Sequence, residues 1–283
     1  MTATYDMDPT VMLPPTPGRR WTIAKQLGIE TAVVRFWGVS QWWEYETLQQ
    51  TAARFDDHGF SLDVVEDRPP MENTVLGRAG RDDEIERVKT LIENMGRLGI
   101  DTYCWVWTEN PLGVIRTSDS VPGRGGSQRI GYDHGWMERA PNHAAADVTT
   151  DELWANLAYF LDAVVPVAEA HGVNLALHPD DTPTSPVRGV PRIVQSMADY
   201  RRILALHDSP NHGITFCQGN FAAMEHDTID AIHELGDRIH FVHFRDVEGS
   251  EREFVETWHD NGPTDMRAAI EAYREVGFDG PIR

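Results

Sequence analysis

This sequence is poor in cysteine, poorer still in lysine, and contains no long apolar run. Its two cysteines, Cys104 and Cys217, sit in separate apolar segments far apart along 283 residues, which argues against a disulfide framework and for a reducing compartment. No segment approaches the roughly 20 consecutive apolar residues of a membrane-spanning helix. The opening "MTATYDMDPT" lacks the basic and apolar regions of a secretory signal, so a cytoplasmic location is the expectation. There is no internal repeat, and no G-x-G-x-x-G follows the first strand pattern, which speaks against a dinucleotide-binding sheet.

Lys25 and Lys89 are the only lysines beside 23 arginines, and the formal net charge is −20. Such a field repels nucleic acid and anionic membrane, which removes both as partners. A small anionic substrate would need local compensation. Crowded carboxylates with few lysines are best tolerated where salt screens them, so the composition points to a halophilic protein. A high-GC genome with a mildly acidic proteome is the alternative.

What is present is an alternation of strand-like runs with amphipathic helical patterns. Apolar runs at 31–38, 60–67, 101–108, 174–181, 213–220, 239–247 and 253–260 are separated by helical stretches such as 40–59, 151–172 and 264–276. Ser40 is a candidate N-cap for the first of these helices and Gly59 its stop. Strands apolar on both faces and alternating with helices predict a parallel sheet covered by helices. The expected fold is a (β/α)8 TIM barrel forming a single domain over 1–283. Its eighth strand only begins at "GPIR", so that the C-terminal part of the barrel is expected to be missing. A doubly wound open sheet is the alternative. The stretch 109–150 shows little periodicity and much Gly and Pro, and reads as a long loop between the third strand and third helix, a candidate lid.

A parallel barrel keeps its chemistry where strands end. The fourth, fifth and sixth runs end on His178, on Cys217, and on His243 with Arg245. Strand alternation puts Thr215 with Cys217, and Phe241 with His243 and Arg245, on shared faces. Two imidazoles and a thiolate from three successive strand ends form a candidate metal site for a borderline cation such as zinc or ferrous iron. Singly, each residue reads as ordinary packing; their common position carries the inference. Arg245 is a candidate to pair with a substrate carboxylate. Arg116, Tyr132, Asp133 and His134 in the long loop could close over a substrate. Asp180 and Asp181 could orient ligands or cap the next segment, and Glu66 and Asp67 end the second run. The tryptophan pairs at 42–43 and 105/107 read as packing.

"HPDD" at 178–181, "GVPRIV" at 189–194, "TFCQGN" at 215–220, "IHFVHFRDV" at 239–247 and "TDMRAAIEAYREVGFDGPIR" at 264–283 resemble the mannonate dehydratase family over most of the chain. "VVEDRPPMENTVLG" at 64–77 is similar in style to the family's second-strand loop. The resemblance implies a TIM barrel related to xylose isomerase, acting in hexuronate catabolism. The implied reaction is a hydro-lyase reaction, loss of water from D-mannonate to give 2-keto-3-deoxy-D-gluconate, with Mn2+ or alternatively Fe2+. It makes His178, Cys217 and His243 metal ligands. Arg116, Asn220, Arg245 and Asp180 are the expected substrate-binding residues, and Arg245, Tyr132 and His134 the expected catalytic ones within the chain. The family's fourth ligand, an aspartate in a Pro-Asp-His segment, together with that histidine and a later tyrosine for proton transfer, is expected beyond Arg283. A chain ending there is then expected to dehydrate D-mannonate poorly. Where the family more often reads Thr-Gly-Ser after its cysteine, this chain has Gln218, Gly219 and Asn220, and it carries Thr182 where a proline is usual. The expected partners are a small sugar acid and, for assembly, a homodimer. A metal-dependent sugar isomerase or epimerase of the same fold, and a catalytically inactive sugar-acid binding protein, are the alternatives.

Overall fold

Short runs rich in Val, Ile, Phe and Thr, each bounded by Gly, Pro or Asp, become strands, and the periodic segments between them become helices. The computed structural model describes residues 7–108, 115–224 and 226–283. Its strands are β1 (Asp8–Leu13), β2 (Thr31–Val34), β3 (Ser61–Glu66), β4 (Thr102–Val106), β5 (Ser118–Pro122), β6 (Gln128–Asp133), β7 (Asn174–His178), β8 (His212–Cys217), β9 (Ile239–His243), β10 (Asp246–Ser250), β11 (Glu253–Thr257) and β12 (Pro281–Ile282). The helices are α1 (Arg19–Gln26), α2 (Tyr45–Asp57), α3 (Glu72–Val75), α4 (Arg81–Leu98), α5 (His134–Arg139), α6 (Thr150–His171), α7 (Met197–Leu204), α8 (Gln218–Ala223), α9 (Thr228–Leu235) and α10 (Met266–Glu275).

Eight strands close into one parallel barrel in the order β1-β12-β9-β8-β7-β4-β3-β2, the expected (β/α)8 TIM barrel. Two features of the strand count differ from the sequence reading. The run 253–260 is not a barrel strand: its ordered part, β11, pairs antiparallel with β10 and β6. The first barrel strand is instead β1, six residues hidden before the proline-rich "PPTPG". The stub "GPIR" is enough for the eighth strand. Asp8 and Pro9 pair with Pro281 and Ile282, Ile282 pairs with Val242, and Arg283 extends the ladder by donating its N–H to Val242 O at 2.9 Å.

The stretch expected to be a structureless loop carries β5, β6 and α5. Together with β10 and β11, the two strands form a four-stranded antiparallel sheet in the order β10-β11-β6-β5. The reading of 109–150 as a loop is corrected by that sheet, which follows β4; positions 109–114 lie outside the described residues. β6 showed no signal because its partner β11 lies more than a hundred residues away, with Tyr132 opposite Phe254. Similarly, α2 starts at Tyr45 rather than after Ser40, since the "SQWWE" turn precedes it.

Two apolar layers hold the barrel. Inside it, Val33, Val64, Cys104, Ala176 and Phe241 pack with Met12 as a plug, and between barrel and helices a far larger layer buries residues such as Phe55, Leu91, Leu157 and Tyr273. At about 25 cal/mol per Å2 of apolar surface, each such large side chain contributes roughly 1.5–3 kcal/mol. Helix ends are fixed locally. α6 begins with a capping box in which Thr149 and Glu152 satisfy each other's backbone N–H, and it ends at Gly172 with φ +66, a left-handed position that suits glycine.

Candidate metal centre

Along each barrel strand, inward residues recur every second position, so the layer above the apolar plug is built from the residue two places on. Val64 is followed by Glu66, Ala176 by His178, Thr215 by Cys217 and Phe241 by His243. In the register, Cys217 lies directly beside His243. The three predicted ligands therefore come from the ends of adjacent strands β7, β8 and β9, and their donor atoms all lie within 4.8 Å of one another. His178 Nε2 and His243 Nδ1 are 3.0 Å apart. All three side chains are buried.

The surroundings suit metal binding. His178 Nδ1 lies 2.7 Å from Pro179 O, a contact that only a ring N–H can make, so Nε2 presents a lone pair to the site. Burial, above all else, holds both histidines below their ordinary pKa, with Arg283 a further cause for His243; neutral imidazoles are what a cation needs. Burial alone would push the Cys217 thiol up. Arg245, followed by a hydrogen bond with His243, outweighs it and holds the thiol below its ordinary value. Arg245 Nε donates to Cys217 Sγ at 3.2 Å. The turn after Cys217 is the short helix α8 rather than an open loop, and Gly219 in it is required for close approach: a Cβ there would lie 2.5 Å from Arg245 Nη1. Two borderline nitrogen donors and a sulfur, with room beside them, fit a divalent cation such as Mn2+, Fe2+ or Zn2+.

Beside this cluster opens a cavity of about 680 Å3, bordered by Arg35, Glu66, Cys104, His178, Asp181, His243, Arg245 and Arg283, among others. Part of its wall is an ion-pair network in which Glu256 of β11 joins Arg116, Asp181 and Arg245 from the adjoining loops. Arg116 is bidentate to Asp181 at 2.8 and 2.9 Å and reaches Glu256 at 2.7 Å. Arg245 Nη2 lies 3.1 Å from Asp181 and 2.6 Å from Asn220 Oδ1. Burial raises the Asp181 carboxyl, but Arg245 and Arg116 outweigh it and hold the group well below the usual carboxylate range.

The structure thus brings His178, Cys217, His243, Arg245 and Arg116 together, with the two arginines already engaged by Asp181 and Glu256. Asn220 does not border the cavity; it supports the site by donating to Asp180 O at 2.7 Å and accepting from Arg245. Asp180 is buried beneath, accepts from Val194 N at 2.8 Å, and is raised to about 6 by burial, so it orders the 181–194 segment rather than facing a ligand. Tyr132 and His134 are not brought to the cavity. They hydrogen-bond each other at 2.7 Å, and Tyr132 packs with Ala223, Val247 and Phe254. Asp133 caps α5, and Asp67 fixes the loop after β3 by accepting from Phe36 N and Arg68 N, both at 2.9 Å. Trp42 stacks on Phe36, and Trp105 and Trp107 pack on Phe160, in keeping with the packing role read for them. Sequence reasoning left Glu66 undecided and missed Arg283, Arg35 and Cys104; the last three share the inward alternation that could have found them.

The D-mannonate dehydratase (UxuA) family matches residues 22–145 and 139–283. Mannonate dehydratase 2 of Halalkalibacterium halodurans is 35% identical over 269 residues, spanning 85% of this chain and 78% of that protein. Among solved structures, the mannonate dehydratase from Streptococcus suis serotype 2 superposes with a TM-score of 0.89 at 28% identity, covering 98% of this chain and 84% of the other. A xylose isomerase domain protein from Planctomyces limnophilus superposes at TM-score 0.62 and 16% identity, over 98% and 90% of the two chains, which speaks for a shared fold.

Proposed function

This chain belongs to the D-mannonate dehydratase family, and from that premise we propose that it removes water from D-mannonate at a divalent cation held by His178, Cys217 and His243, giving 2-keto-3-deoxy-D-gluconate. The observation that carries the proposal is the convergence of those three donors, from three adjacent strand ends, beside a cavity that His178 and His243 border. A volume of about 680 Å3 falls in the range of small-molecule sites and accommodates a six-carbon sugar acid. When bound, Mn2+ or Fe2+ would polarise the substrate carboxylate and offset the charge that develops as the neighbouring carbon loses its proton.

The chain's own residues prepare that chemistry. Arg245 holds Cys217 ready to ligate as a thiolate. Asp181 and Glu256 fix Arg245 and Arg116 along the cavity wall and balance their charge. Glu256 of β11 and Arg116, two residues before β5, border this side of the cavity. The proton leaving C2 and the proton given to the departing C3 hydroxyl need a base and an acid. With Tyr132 and His134 turned away, the groups that the family resemblance implies after Arg283, the histidine of a Pro-Asp-His segment and a later tyrosine, are the ones proposed for proton transfer.

The test is incubation of D-mannonate with Mn2+-loaded protein, both as the chain through Arg283 and as the natural chain continuing through Pro-Asp-His and the later tyrosine, followed by assay for a 2-keto-3-deoxy acid. Keto-acid formation by either form supports the dehydratase reading, and the form that turns over locates the acid and base. An epimer or ketose as product, or none from both forms, overturns it.

A further inference from the structure

We propose that Glu66 is the positioning residue of the metal centre: it accepts the hydrogen bond that His243 must donate from Nε2 once Nδ1 is given to a cation. The inference rests on the metal reading above and concerns how His243 is used. His178 Nε2, a lone pair, lies 3.0 Å from His243 Nδ1, so in this arrangement Nδ1 of His243 carries the ring proton and donates it. Nε2 of His243 is then a lone pair, and Arg283 Nη2 donates to it across 2.7 Å. Donation runs from Arg283 through His243 and His178 to Pro179 O without conflict.

The same arrangement is incompatible with a cation between the two rings, because His178 Nε2 and His243 Nδ1 must both offer it lone pairs. A neutral imidazole that gives up Nδ1 keeps its one proton on Nε2. The proton moves within the ring, and the net charge of His243 is unchanged. Arginine has no acceptor, so Arg283 cannot accept that hydrogen bond. Glu66 can: its Oε2 lies 3.2 Å from His243 Nε2. This oxygen is buried and accepts no hydrogen bond. Arg283 Nη2 is 2.9 Å away but directs its two N–H bonds at Glu66 Oε1 and at His243 Nε2. The second tautomer of His243 fills the vacant acceptor and releases Arg283 from the ring. A carboxylate behind a ligating imidazole fixes its orientation and strengthens its donor nitrogen, and losing such a partner typically costs 10–100-fold in metal affinity. A rival geometry exists, since Glu66, Cys104 and His243 also lie within 4.8 Å of one another; it would use Nε2 of His243 and make Glu66 a ligand.

Zinc is the probe, being diamagnetic. In protein labelled with 15N-histidine, His243 should show Nδ1–H before zinc is added and Nε2–H afterwards. By chelator competition, Glu66→Gln should bind zinc about 10-fold more weakly than wild type and Glu66→Ala closer to 100-fold, while Arg283→Met should bind no more weakly than wild type. Circular dichroism checks that each variant is folded. Wild-type zinc affinity in folded Glu66→Ala, or zinc on Nε2 of His243 in the wild type, overturns the proposal. Failure of the wild type to bind zinc overturns the metal reading and this inference with it, whereas intact wild-type binding with an unaffected Glu66 variant defeats the inference alone.

Discussion

Replacing Asp181 by asparagine removes one negative charge from between two guanidinium groups and hardly changes shape. Asp181 receives Arg116 at 2.8 and 2.9 Å and Arg245 at 3.1 Å, with its side chain 7% exposed. Breaking a buried pair by neutralising one partner costs about 3–5 kcal/mol. Glu256 remains 2.7 Å from Arg116 and 3.4 Å from Arg245 and offsets part of that, so roughly 2–4 kcal/mol is expected for Asp181→Asn in urea unfolding at pH 7. Because the folded carboxyl is held below its ordinary value by Arg245 and Arg116 against its burial, this stabilisation is complete above the unfolded pKa and is lost as pH falls through the lower folded one. The gap between wild type and variant should therefore be full at neutrality and shrink from about pH 4 downward. A double-mutant cycle with Arg116→Met should show about 2 kcal/mol of coupling. A gap below about 1 kcal/mol at pH 7, or additivity within about 0.5 kcal/mol, would refute the idea that Asp181 holds these arginines in place.

Two further predictions concern the rest of the molecule. His240 is depressed to about 4, by burial first and then by His212 and Arg238, so the unfolded chain binds a proton there that the fold does not. Wild-type stability should fall as pH drops from about 6.5 to 4, by up to roughly 3 kcal/mol from this residue, and His240→Gln should flatten the slope in urea titrations; an unchanged slope would discount the assignment. The charge of −20 with two lysines predicts that molar KCl raises Tm, as the screening length contracts from about 8 Å at physiological ionic strength to about 3 Å at 1 M. A flat or falling Tm would favour a compositional origin for the acidity.

The cluster of His178, Cys217 and His243 was legible in the sequence because both signals that reveal it are local: the two-residue alternation of a strand, and the polar residue on which it ends. The barrel was legible for the same reason. β1 was not, since it runs into the prolines of "PPTPG", where strand patterns are interrupted, whereas the start of β12 was read at "GPIR". The antiparallel sheet escaped notice because its stability comes from pairing Tyr132 with Phe254 and Arg116 with Glu256, across separations that no window of sequence spans. Those distant pairs also changed the roles read for single residues. Arg245 looked like a free cation for a substrate carboxylate, and its partners show a guanidinium that is largely occupied in holding Cys217 and Asp181. Tyr132 and His134 looked available in a loop, and the sheet turns them into packing.

Metal content after equal dialysis of wild type and Cys217→Ser, both loaded with Mn2+ or Fe2+ and shown to be folded, decides whether His178, Cys217 and His243 hold a cation together. The wild-type chain should retain one cation and the variant lose it, because the serine hydroxyl does not ionise to replace the thiolate that Arg245 favours. Equal retention by the two proteins would remove Cys217 from the site and contradict a centre built by His178, Cys217 and His243.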